Sequence, residues 1–65
     1  MVKTINIGDS YYVNEDMEHL ASSCVITVVK FEEDRNVVVF ANDFGETIRV
    51  PKEYTFEYIK DGVLQ

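Results

Sequence analysis

The chain has 65 residues, 46% hydrophobic and 28% charged, with twelve acidic side chains against six basic. That length allows a single domain over residues 1–65, and the composition excludes a disordered chain. A net charge of −6 argues against a module drawing its affinity from nucleic-acid phosphates, one cysteine excludes an intramolecular disulfide, and no apolar run nears a membrane span.

Met1 is not followed by a secretory signal, so a cytoplasmic location is expected. A core this small has no disulfide or metal staple to help it. Most large apolar side chains must therefore be buried, and a homodimer would add burial.

Ile5, Ile7, Tyr11 and Val13 fall on alternate positions, the period of a strand with one buried face. Gly8-Asp9 interrupts that run and predicts a bend. Asn14 to Ser23 is polar and acidic: Asn14 could cap a short helical turn anchored by Met17 and Leu20, and a long ordered loop fits equally. Cys24 to Phe31, with five β-branched residues in a row, carries the strongest strand signal. Both of its faces are apolar, which predicts a central strand that bends between two packed layers.

Glu32-Glu33-Asp34-Arg35-Asn36 reads as a charged turn in which Asn36 takes the left-handed conformation. Val37 to Ala41 is the next strand. Asn42-Asp43-Phe44-Gly45 supplies a second turn into Thr47 to Val50, where Ile48 and Val50 alternate with polar neighbours. Pro51 ends that strand because it lacks an N–H. A single tight helical turn is expected over Lys52 to Thr55, and a last short strand over Phe56 to Ile59.

Five short strands with a long first loop and a three-strand meander predict an all-β, partly open barrel. Ile5 to Asp9 with Tyr11 and Val13, Val25 to Phe31, Val37 to Phe40, Gly45 to Val50 and the turn from Pro51 to Phe56 together resemble the SH3-like barrels in their Tudor or KOW-type variants. Small phage and prophage proteins often share this pattern. The resemblance covers nearly the whole chain as an arrangement of strands and turns, and that fold hosts many functions. KOW-type modules carry basic loops where this chain has Glu15, Asp16 and Glu18. The peptide-binding SH3 signature needs a Trp that is absent, and Tyr12, Phe44 and Tyr54 match a Tudor-like aromatic cage only loosely.

His19 near Glu15, Asp16 and Glu18 could be read as a metal site, but a solvated acidic loop explains the same residues without ligand geometry or second-shell support. Cys24 with His19 could be read as a nucleophile and base, yet a 65-residue barrel is filled by its own side chains, and Cys24 serves as a small hydrophobe. Gly8, Gly45 and Gly62 are isolated and make no phosphate loop. No catalytic residue, cofactor or metal is assigned.

What remains is surface. Tyr12 points outward if Tyr11 points in, and Phe44 sits at a hairpin tip, where it either meets a partner or folds back to cap the core. Two acidic clusters, Glu15-Asp16-Glu18 and Glu32-Glu33-Asp34, could dock on the basic groove of a nucleic-acid enzyme, or could serve solubility alone. The expected function is a non-enzymatic protein-binding module using these eight residues and exposed strand edges. Its sharper form is a phage or mobile-element inhibitor. Two alternatives are a nucleic-acid-binding barrel using Lys30, Arg35, Arg49 and Lys52, and a small-molecule sponge at an oligomer interface.

Overall fold

Four antiparallel strands and one helix make up the computed structural model, which describes residues 4–14 and 25–65. In chain order they are β1 (Ser10–Tyr12), β2 (Val25–Glu32), β3 (Val37–Asn42), β4 (Thr47–Pro51) and α1 (Lys52–Lys60). The sheet is open, with the strands side by side in sequence order. The expected reading of Asn14 to Ser23 falls, after Asn14, outside the described residues, as does Cys24 at the start of the expected next strand.

Alternation decides the faces. Ile26, Val28, Val38, Phe40, Ile48 and Val50 bury themselves on one side, joined there by Ile5, Val13 and Leu64. β2 does not run between two packed layers as expected, since Val25 and Val29 are exposed on its other face; it carries a bulge between Val28 and Lys30. That bulge shifts the inward phase from Val28 to Phe31 and leaves Val29 exposed. Tyr11 meets Phe40 edge-on, with ring centroids 6.4 Å apart.

Asn36 does take the left-handed conformation, with φ of 56°. The first strand is shorter than expected. Asn6 to Asp9 form a turn, closed by the Asp9 N–H on the Asn6 carbonyl and the Asn6 N–H on the Asp9 carboxylate. That turn takes Ile7 out of the alternation and leaves it exposed.

The final strand expected over Phe56 to Ile59 is instead helix, and the single turn expected over Lys52 to Thr55 is its beginning. Aromatic and β-branched content favoured a strand there, but spacing prevailed. Thr55, Phe56 and Ile59 recur at helical intervals, with Thr55 buried and Phe56 and Ile59 packed on the core. Pro51 cannot extend a ladder but suits a helix start, and Glu53 and Lys60 complement the helix dipole at its two ends.

Gly62, at φ 83°, ends the helix. Its N–H bonds the Ile59 carbonyl while Val63 N–H bonds that of Tyr58, the paired bonds of a Schellman stop. The chain then returns to β1. Tyr12 and Gln65 exchange both backbone hydrogen bonds, at 2.8 and 2.9 Å, and Val13 faces Leu64. Asn14 adds a side-chain bond to the Gly62 carbonyl at 2.8 Å. This covers the outer edge of β1 and leaves that of β4 without a strand among the described residues.

Candidate protein-binding surface

The turn between β3 and β4 is built around Asn42. Its Oδ1 accepts the N–H groups of Phe44 and Glu46, each at 3.0 Å, and its Nδ2 donates to the Glu46 carboxylate at 2.9 Å. The backbone adds Asn42 N–H to the Glu46 carbonyl and Gly45 N–H to the Asn42 carbonyl. Gly45 sits at φ 83° in open space, so its backbone conformation and not a lack of room favours glycine there. Phe44 is held on this fixed tip with 80% of its surface exposed.

Strand pairing places two more apolar side chains at the same end of the sheet. Tyr12 is opposite Val25, and Ile26 next to it is opposite Asn42. Tyr12 and Val25 are both exposed and lie on the face away from the core. The aromatic pair Tyr12 and Phe44 therefore shares one end.

The acidic turn is at the other. Five residue steps of β3 separate the two turns, roughly 17 Å at strand rise. Glu33 and Asp34 are exposed there beside Arg35, whereas Glu32 is tied to Arg49 at 3.1 Å. Glu32–Asp34 and Phe44 therefore do not form one patch. Glu15, Asp16 and Glu18, with His19 and Cys24, lie outside the described residues.

The four cations of the nucleic-acid alternative are dispersed. Lys30 and Arg49 flank Val39 on the outer face, Arg35 lies in the acidic turn, and Lys52 begins the helix. A hollow of about 310 Å³ is lined by Thr4, Ile5, Asn6, Phe31, Glu33, Lys52 and Phe56. Among the described residues no three His, Cys, Asp or Glu side chains group as metal ligands, and no helix is long and apolar enough to cross a membrane. Burial, assisted by the nearby Asp9 carboxylate, raises the Tyr11 hydroxyl above its ordinary 10.0.

Three further surface features stand out. Tyr54 is more than half exposed on α1, Ile7 projects from its turn, and Glu46 to Arg49 line an open groove of about 410 Å³. Tyr54 and exposed strand edges were already candidates in the sequence, whereas Ile7 was expected on the buried face, and its place directly before Gly8 is the local signal against that. Compared with known protein families, curated proteins and solved structures, the chain matches none.

Proposed function

We propose that this protein is a non-enzymatic binding module that docks on another protein through the end of the sheet bearing Phe44, Tyr12 and Val25. The observation that carries the reading is Phe44 itself. A ring that is 80% exposed gains nothing from the fold, yet Asn42 spends three side-chain hydrogen bonds fixing the turn that presents it. A pre-ordered aromatic anchor loses little conformational freedom on docking, which is what makes such residues effective at interfaces.

The acidic form of the reading, docking on a nucleic-acid enzyme, draws less support. Arg49 engages Glu32, and Arg35 stands beside Glu33 and Asp34, so the charge at that turn is partly offset. The SH3-like reading draws on the meander of β1 to β4 and on the return of Val63 to Gln65 beside β1. Affinity capture with wild type and Phe44→Ala tests the proposal. A protein held by the first and lost by the second, at unchanged melting temperature, supports it; identical capture contradicts it.

A further inference from the structure

We propose that the outer edge of β1 is a strand-accepting site, which this chain fills with its own Val63 to Gln65 and which takes an extended, leucine-bearing segment in their place. The site uses the backbone of Tyr12 and not its ring, so it stands apart from the Phe44 reading. Its present occupant defines it. Tyr12 N–H donates to the Gln65 carbonyl at 2.8 Å, and the Tyr12 carbonyl accepts the Gln65 N–H at 2.9 Å, a close antiparallel pair. Asn14 N–H donates to the Val63 carbonyl at 2.8 Å. Between those bonds Leu64 faces Val13 across the ladder, and both side chains belong to the core.

The occupant also states the chemistry of what fits. Val63 is half-buried and Gln65 exposed, whereas Leu64 keeps only 1% of its surface. A replacement must therefore bring a leucine-sized side chain to the Leu64 position and a backbone carbonyl on either side of it. The flanking side chains are read weakly, because neighbours along a strand point to opposite faces.

Few attachments hold the segment. Val63 and Leu64 turn their N–H groups back to the Tyr58 carbonyl, at 2.9 and 3.2 Å, leaving the Gln65 N–H to donate to β1. Gly62, at φ 83°, joins the segment to α1, and α1 packs beside β3 and β4. Lifting Val63 to Gln65 breaks three interstrand backbone bonds and the Asn14 side-chain bond to Gly62, and withdraws Leu64 from the core. The sheet and the helix keep their own contacts meanwhile. Segments held this lightly open without global unfolding. Once open, β1 presents the Tyr12 N–H and carbonyl and the Asn14 N–H in a row beside an uncovered Val13, an edge favoured to pair again.

A synthetic peptide of residues 61–65 is the probe, and the full chain carrying Leu64→Ala is the receptor. That change keeps the backbone of the segment but empties its place in the core. Titration is expected to shift the amide resonances of Tyr12, Val13 and Asn14 with a Kd of roughly 1 mM. Wild type should bind at least about tenfold more weakly, since its tethered segment competes. The same peptide with Leu64→Ala should shift none of these amides. No shift up to about 10 mM, an equal response to the two peptides, or equal binding by wild type overturns the proposal. Adding Phe44→Ala to the receptor should leave peptide binding unchanged, which separates failure here from failure of the docking reading.

If Leu64→Ala does not fold, amide exchange of wild type decides. Tyr12, Asn14 and Gln65 are expected to exchange together, with protection at least about tenfold lower than that of Phe40 in the centre of the sheet. Protection equal to that of Phe40 would mean that the segment leaves only on global unfolding, and would overturn the proposal.

Discussion

Arg49 reaches across a strand to Glu32. Its Nε lies 3.1 and 3.3 Å from the two carboxylate oxygens, joining β4 to β2 over the outer face of β3. Val39 is paired directly with Arg49 and Lys30, and only 3% of its surface is exposed although it faces away from the core. Lys30 and Arg49 flank it on the two neighbouring strands, and long charged side chains commonly cover apolar surface with their stems.

The bridge predicts a small coupling and a larger packing effect. A double-mutant cycle with Arg49→Ala and Glu32→Ala should give about 0.2–1 kcal/mol of coupling that shrinks with salt. Arg49→Ala alone should cost more than Arg49→Lys, since lysine keeps the stem over Val39. Equal losses by urea denaturation would show that the stem covers nothing.

Strand phase gives a second prediction. Val38→Asp and Ile48→Asp place unpaired charges in the core and should abolish the cooperative thermal transition. The bulge sharpens this: Val28→Asp should also unfold the chain, while Val29→Asp, one residue on, should cost less than about 1 kcal/mol. Similar losses at both positions would place the bulge elsewhere.

Asn42 should matter more than its half-buried setting implies. Asn42→Ala removes three side-chain hydrogen bonds and should destabilise by about 1–2 kcal/mol. Amide exchange at Phe44 and Glu46 should speed up before exchange in the centre of β3. Unchanged exchange there would mean that Gly45 alone holds the turn.

Tyr11 gives a pH dependence with a definite sign. Burial favours the neutral hydroxyl, so its folded pKa is above the unfolded 10.0. Its contribution to stability is complete below pH 10.0 and is lost as pH rises through the folded value. Tyr11→Phe should therefore flatten the alkaline fall in stability measured by urea unfolding. Parallel wild-type and variant curves above pH 10.0 would contradict this.

The strands from β2 to β4 were legible because period-two burial, β-branched content and turn residues such as Asn36 and Gly45 agreed. The helix was misread where those signals split: Phe56, Tyr58 and Ile59 have strand-like composition, but packing is governed by the helical spacing of Thr55, Phe56 and Ile59. Phe44 was visible as a ring at a turn. Its fixed presentation was not, because the Asn42 hydrogen bonds depend on turn geometry. Nothing local foretells that Gln65 pairs with Tyr12, or that β4 ends the sheet, since both require the order of strands in space. The Arg49–Glu32 bridge was hidden for the same reason.

Phe44 is the proposed anchor. Its most direct test captures binding partners side by side with wild type, Phe44→Ala and Glu33→Gln/Asp34→Asn, after checking that all three melt alike. A partner retained by wild type and by the charge-neutralised chain but released by Phe44→Ala is expected. A partner that stays with Phe44→Ala and leaves when the two carboxylates are neutralised would contradict it.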